Sequence, residues 1–127
     1  MSGPWTITNR GSAGAAATAS QAAPTSGLAQ GVQLRLRALS ASLAGSAAGA
    51  DQLVVRDGAS GTGAIIWQWD LSVPANGADR VLFDGLDLRV SPGNALTIEF
   101  VAGVASDRES VNAEGDIIPV GYPLFMS

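Results

Sequence analysis

The stretch IIWQWDLSVP, residues 65–74, alternates strictly between two sets of side chains: Ile65, Trp67, Trp69, Leu71 and Val73 in one phase, and Ile66, Gln68, Asp70 and Ser72 in the other. A period of two places successive side chains on opposite faces of an extended chain, so this pattern predicts a β-strand with Trp67 and Trp69 on one face. Pro74 ends the strand, and the following Asn76-Gly77 pair predicts a tight turn. The stretch therefore indicates antiparallel β-structure.

The same period of two continues on both sides of this strand. In residues 32–43 the apolar phase changes after Ala38, which predicts a β-bulge. Turn-forming residues separate the apolar segments about every 8 to 12 residues, as in sandwiches and barrels. The other predicted strands are residues 52–56, 79–83, 87–90, 95–102 and 116–122, with a polar loop at 106–114. The fold class predicted is all-β, an antiparallel, jelly-roll-like β-sandwich.

The N-terminal part of the chain has a different composition. Residues 12–29 consist mostly of Ala, Ser, Thr, Gly and Gln, without charge and without an apolar stripe. We interpret residues 1–31 as a flexible or extended low-complexity arm and residues 32–127 as the sandwich domain. The arm is either a disordered tail or a segment that becomes ordered on a neighbouring molecule. Trp5 and Ile7 are its candidate partner-binding residues.

The residue inventory excludes the common catalytic groups. The chain has 127 residues with no His and no Cys. A Ser-His-Asp triad, a Cys-His pair and ordinary zinc sites are therefore excluded. We expect a protein that is not an enzyme and has no cofactor and no metal.

Charge and hydropathy exclude two classes of partner. The net charge is -4, and the seven cationic residues are all Arg and are dispersed, whereas nucleic-acid binding needs clustered cations. No stretch approaches the ~20 apolar residues of a membrane span. Residues 1–10 lack a basic and an apolar region, so we expect no secretory signal. We expect neither a nucleic-acid nor a membrane partner for a soluble product.

Several acidic and glycine-rich segments invite a chemical interpretation. Asp79, Asp84 and Asp87 could supply the carboxylate pair of a glycoside hydrolase, but we interpret them as solvated turn acids, since Asp84 lies in an Asp-Gly turn. The loop DGASGTG at residues 57–63 has phosphate-loop glycines without the lysine or the helix, so we interpret it as a hairpin loop. Four acids lack calcium-loop spacing and are interpreted as a solvated surface loop: Asp107, Glu109, Glu114 and Asp116.

Two pairs of residues have two interpretations each. Trp67 and Trp69 are either core residues, which their phase favours, or a stacking platform for sugars. Arg35 and Arg37 are either partner-binding residues for an acidic surface or a solvated face that prevents edge aggregation. The predicted core consists of Leu34, Leu36, Leu53, Val55, Trp67, Trp69, Phe83, Leu96, Ile98 and Phe100.

The second half of the chain resembles a known class of proteins. The segments that carry the resemblance are IIWQWDLSVP with Ala75-Asn76-Gly77, residues 85–90, SPGNALTIEFVAG at 91–103 and DIIPVGY at 116–122. They resemble small structural proteins encoded in the virion modules of tailed bacteriophages and related prophages. The resemblance lies in strand and turn patterning across residues 53–122 and includes no active-site motif.

The resemblance implies a structural function. Proteins of that kind are β-sandwich or jelly-roll modules that decorate the capsid as cement proteins, often as homotrimers. We therefore expect a decoration protein on the capsid surface of a virion, made in the bacterial host cytoplasm, with major capsid protein subunits and further copies of itself as partners. The alternative is a carbohydrate- or receptor-binding module of a phage tail or a secreted protein, in which Trp67 and Trp69 are exposed.

Overall fold

A computed structural model describes residues 4–24 and 31–121, which form two antiparallel β-sheets packed face to face. Residues 1–3 and 25–30 of the predicted arm and residues 122–127 of the predicted sandwich domain lie outside the described residues. Within the described part of the chain, no helix has the length and hydropathy needed to cross a membrane.

The described residues contain nine strands in two sheets. The strands are β1 (Pro4–Arg10), β2 (Thr18–Gln21), β3 (Val32–Gly45), β4 (Gly49–Asp57), β5 (Ala64–Val73), β6 (Gly77–Phe83), β7 (Leu88–Arg89), β8 (Leu96–Phe100) and β9 (Asp107–Pro119). One sheet has the order β1-β9-β3-β6, with the short β7 also paired to β3, and the other has the order β2-β8-β4-β5.

The strand pairs are nested along the chain. β1 pairs with β9, β2 with β8, β3 with β6 and β4 with β5, all antiparallel. In a jelly roll, one long hairpin folds over so that its successive strand pairs lie alternately in two packed sheets. The strand pairs of this chain follow that arrangement. The predicted fold class, an all-β antiparallel sandwich of jelly-roll type, is confirmed.

The core lies between the two sheets and consists of the side chains that point inward from both of them. Most predicted core residues are fully buried there, and each such apolar side chain stabilises the fold by about 1.5 to 3 kcal/mol. The confirmed core residues are Leu34, Leu36, Leu53, Val55, Leu96, Ile98 and Phe100. The other three predicted members, Trp67, Trp69 and Phe83, lie at the rim of the sandwich.

Two β-bulges set the phase of the long strands. The predicted bulge in β3 is present as a register shift between Leu36 and Ala38, and it keeps apolar residues inward in both halves of the strand. A second shift places Ile65 opposite Arg56. Directly paired residues share a face, so Ile65 lies on the outer face. The prediction that Ile65 shares the face of Trp67 is therefore wrong, because the bulge shifts the phase between them.

The described part of the predicted arm belongs to the sandwich. The chain is extended there, but β1 and β2 are the edge strands of the two sheets on one side, and Ala17 and Ala19 are buried in the core. The boundary predicted after residue 31 does not separate an arm from the core.

The predicted polar loop at residues 106–114 is wrong. Residues 107–119 form β9, which lies between β1 and β3. Asp107 and Glu109 continue the inward phase of Val111 and Ala113 and are buried. All four acids lie on a strand and not in a loop. Burial is wrongly predicted for Asp107 and Glu109, where strand phase overrides residue type, whereas Glu114 is exposed as predicted.

Candidate functional site

Large apolar side chains are exposed on the side of the sandwich where β5 and β6 lie. β5 is the edge strand of one sheet, and β6 is the edge strand of the other. The two strands are consecutive in the chain but belong to different sheets, so their side chains meet across the open side of the sandwich. We call the cluster of Trp67, Trp69 and Phe83 at this side the aromatic flank.

The three rings of the aromatic flank contact one another. The rings of Trp67 and Trp69 are nearly parallel, with 6.5 Å between their centroids and 13° between their planes. Phe83 of β6 makes an edge-to-face contact with each, at 5.1 Å from Trp67 and 4.9 Å from Trp69. Each such contact stabilises the arrangement by about 0.5 to 1.5 kcal/mol. The cluster joins the edges of the two sheets.

The outer part of the flank is in solvent. Trp69 is 46% exposed, while Trp67 and Phe83 are half-buried. The prediction that Trp69 is a core residue is therefore wrong, and Trp67 and Phe83 are only partly core. All three have the inward phase, but at an edge strand the opposite sheet does not extend over them.

The surroundings of the flank are apolar at one end and polar at the other. Ile65 is 46% exposed and Leu82 is 75% exposed. They are close in sequence to Trp67 and Phe83, at the ends of β5 and β6 that lie away from the turn joining these strands. Near the turn, Asp79 Oδ2 accepts a hydrogen bond from the backbone N–H of Ser72 at 3.0 Å, which ties β6 to β5. Gln68, Trp69 and Asp70 line an open depression on this side.

Leu82 was missed by the sequence reasoning. It pairs with Ser40 on the outer face of its sheet, between the inward-facing Val81 and Phe83. The sequence did contain a signal for it. Leu82 is apolar, but the alternation along its strand assigns it to the solvent-facing side, where side chains are usually polar.

The predicted partner-binding residues Trp5 and Ile7 lie on the opposite side of the sandwich. Trp5 is 7% exposed, packs against Gly115 and donates a hydrogen bond from Nε1 to the carbonyl oxygen of Asp116 at 3.0 Å. Ile7 is half-buried against the core. Trp5 is thus a core residue of β1 and is not available to a partner.

Arg35 and Arg37 are separated by their burial. Arg35 is buried and binds Asp116 through two hydrogen bonds, Nε to Oδ1 at 2.9 Å and Nη2 to Oδ2 at 2.8 Å. Arg37 is exposed, and its Nη1 lies 3.7 Å from Asp116 Oδ2. The prediction that both side chains project into solvent is wrong for Arg35. A buried cation is unfavourable unless an anion pairs with it, and Asp116 is that anion here.

The remaining chemical candidates have structural partners. Asp87 binds Arg89, and Asp84 Oδ1 accepts the N–H of Gly85 in a turn with positive φ. The glycine-rich loop closes the β4–β5 hairpin and covers Glu99, whose Oε1 accepts the N–H of Gly61 at 2.9 Å. The loop amides therefore bind a carboxylate of the same chain.

Comparisons with known proteins give only distant likeness. No family model matches the chain, and no curated protein matches it. Among solved structures, Eiger TNF from S. frugiperda has 14% identity and a TM-score of 0.48 over 91% of this chain and 92% of that one. The Tobacco streak virus coat protein has 10% identity and a TM-score of 0.38, covering 98% of this chain and 91% of that chain.

A third solved structure belongs to a different class. A family 6 carbohydrate-binding module has 14% identity and a TM-score of 0.34 over 84% of this chain and 67% of that one. Because each of these TM-scores is below 0.5, the likenesses carry no inference about function. The assignment to the jelly roll follows from the strand order of the chain itself.

Proposed function

We propose that this protein is a non-enzymatic structural protein of a tailed-phage virion, a decoration or cement protein that binds major capsid protein subunits on the capsid surface. The observation that supports it best is the exposed aromatic flank, with two more exposed apolar residues, Ile65 and Leu82, on the outer faces of the same two strands. Exposed apolar surface of this kind marks a site of interaction, because water leaves such surface readily when a partner covers it.

The position of the flank suits attachment to a protein. Trp69 has both an exposed face and a fixed base of Trp67 and Phe83, so little side-chain entropy is lost when a partner covers it. Tryptophan is enriched among the residues that dominate binding energy at protein interfaces. The unpaired edges of β5 and β6 offer backbone groups beside it. Further copies of this chain, as a homotrimer, are the second proposed partner.

Capsids stripped of the protein test this function. Re-addition should restore particle stability, since many copies each add a modest interface. Trp69→Ala should bind stripped capsids at least about tenfold more weakly, as expected when a central aromatic contact is removed. Co-sedimentation with capsids measures the affinity.

Val120 provides the matched control. It is also apolar and about half exposed, but it follows β9 where that strand pairs with the start of β3, far along β3 from the residues that pair with β6. Val120→Ala should bind capsids normally. Equal binding by Trp69→Ala and wild type would refute attachment through the flank, and unchanged stability of stripped particles would refute the cement function.

One observation favours a second candidate, a carbohydrate-binding module. Gln68 and Asp70 lie beside Trp69 in the open depression, and sugar sites combine an aromatic face with adjacent polar groups. In that case oligosaccharides should change the tryptophan emission of the wild type, and Trp69→Ala should abolish the change. A panel of glycans without any spectral effect would exclude this candidate while leaving the capsid-binding experiment to decide the first.

A further inference from the structure

Three carboxylates are buried at one end of the sandwich. Asp51 lies on β4 of one sheet, and Asp107 and Glu109 lie on β9 of the other. Their exposed fractions are 8%, 0% and 1% respectively. We call this group the carboxylate cluster. Buried acids without a cation are unusual because removing a charge from water is unfavourable.

Each carboxylate holds one chain connection in place. Glu109 Oε1 accepts the N–H of Ala17 at 3.3 Å, at the end of the β1–β2 connection. Asp107 Oδ1 accepts the N–H of Ala47 at 3.0 Å, in the β3–β4 connection. Asp51 Oδ1 accepts the N–H of Ala102 at 3.1 Å, in the β8–β9 connection.

The second oxygen of each carboxylate has no hydrogen-bond donor. Asp51 Oδ2, Asp107 Oδ2 and Glu109 Oε2 are buried and unpartnered among the described residues. In the same part of the chain, no group of three acids is arranged to hold a metal ion. A proton on one carboxyl group supplies a donor for an oxygen of another.

Asp51 and Glu109 are linked by a short path of hydrogen bonds: Glu109 accepts the N–H of Ala17, the carbonyl oxygen of Ala17 accepts the N–H of Phe100, and Asp51 accepts the N–H of Ala102, two residues further on. Burial raises the pKa of Glu109 to about 9, and the nearby carboxylates of Asp51 and Asp107 act in the same direction. The amide of Ala17 acts in the opposite direction. β3 presents only the apolar Leu43 opposite Glu109. Two ionised carboxylates both accept, so their contact is a hydrogen bond only when one carries a proton.

We propose that Asp51 and Glu109 share a proton that joins the two sheets, so that the carboxylate cluster closes this end of the sandwich at acidic and neutral pH and loosens it as the pH rises. This device does not depend on the proposed function, because the carboxylate cluster is buried whereas the aromatic flank is exposed to solvent. It makes the three connections held by the cluster the pH-sensitive part of the molecule.

The direction of the pH dependence follows from the two protonation states. The carboxyl of Glu109 has a pKa of about 9 in the folded protein and its ordinary value of 4.5 in the unfolded chain. At any pH between these two values, the folded state therefore keeps a proton that the unfolded state has already released. The stabilising contribution is complete below pH 4.5 and falls through pH 9, by up to about tenfold in the folding equilibrium constant per pH unit.

Glu109→Gln tests the shared proton, because glutamine is the neutral isostere that can still donate to Asp51. Urea unfolding of the full chain at pH 5 to 9 measures the stability. The wild type should lose stability across this range, whereas Glu109→Gln should lose much less and should be the more stable protein at pH 9. Glu114→Gln, an exposed site on the same strand, should retain the wild-type dependence.

Parallel pH profiles of the wild type and Glu109→Gln would overturn the proposal. If the variant does not fold, carboxyl carbon NMR of the wild type decides instead: Glu109 should titrate near pH 9, and titration near pH 4.5 would overturn the proposal. Added calcium supplies a further measurement. Stabilisation of the wild type by calcium at pH 8, reversed by EDTA and absent from Glu109→Gln, would show that a cation rather than a proton neutralises the cluster.

Discussion

The two sides of the sandwich each carry tryptophan at an edge strand, but with opposite exposure. On the β1 side Trp5 is 7% exposed, and on the β5 side Trp69 is 46% exposed. Both residues have the inward phase of their strands. The difference lies in what covers each ring and not in the residue type.

Trp5 is covered because its neighbours make room for it. The adjacent strand β9 carries Gly115 opposite Trp5, where a Cβ would collide with the indole ring. The carbonyl of Asp116 accepts the indole N–H. On the other side, Trp67 and Phe83 are themselves large and occupy the space at the rim, so Trp69 stacks outside them. A tryptophan at an edge strand is thus buried only where a glycine or a connection leaves space.

The largest effect that this comparison predicts is at Trp5. Trp5→Ala should lower the free energy of unfolding by about 3 to 5 kcal/mol, because it empties a closed site and leaves β1 weakly attached to the core. Urea unfolding measures the change, and Trp5→Phe serves as a control that keeps most of the apolar volume. A loss below about 1 kcal/mol would show that the β1 side is as open as the β5 side.

Trp69→Ala should have a smaller effect on stability. The substitution removes the ring contacts with Trp67 and Phe83 while most of the ring's outer face is already in water, so we expect a loss of about 1 to 2 kcal/mol. The same unfolding measurement checks it. A loss equal to that of Trp5→Ala would mean that the aromatic flank is part of the closed core.

The sequence predicted the strands between residues 32 and 102 well, but it missed β1, β2 and most of β9, and it predicted burial at the sheet edges poorly. Leu34 and Leu96 were identified by phase alone, because central strands are covered on their inward side whatever the sheet order. Trp69 and Trp5 were assigned the wrong exposure, since a period of two does not show which strand lies at an edge. Sheet order depends on long-range pairing, such as β1 with β9, that no local pattern contains.

β9 shows a second limit of prediction from the sequence. Glu109 was assigned to a solvated loop because carboxylates are rarely buried. The phase of Val111 and Ala113 contains the signal for a strand, and it continues back to Glu109 without a break. Its buried carboxylate accepts a hydrogen bond from Ala17, and the nearby Asp51 of the other sheet is buried as well. These partners are distant in sequence, so residue type was the stronger but misleading guide.

The smallest predicted effect concerns how the β5 side is held at its far end. Asp57 accepts hydrogen bonds from the N–H and Oγ of Ser91 and from Nδ2 of Asn94, which tie the β4–β5 hairpin to the turn before β8. Burial acts to raise the pKa of Asp57, but the hydrogen bonds from Asn94 and Ser91 outweigh it and hold that pKa below its usual range. The ionised form is therefore the stabilising one.

It follows that the contribution of Asp57 is present above pH 3.8, its ordinary pKa, and is lost as the pH falls further. Asp57→Asn should remove this acid sensitivity and lower stability at pH 7 by about 1 kcal/mol, a small amount because solvent reaches the carboxylate. Hydrogen exchange locates the change: protection of Ala64, which pairs with Asp57, should fall while that of Trp5 stays constant. Equal loosening at both positions would mean that the two sides of the sandwich unfold as one unit, and the contrast between them would then be one of exposure alone.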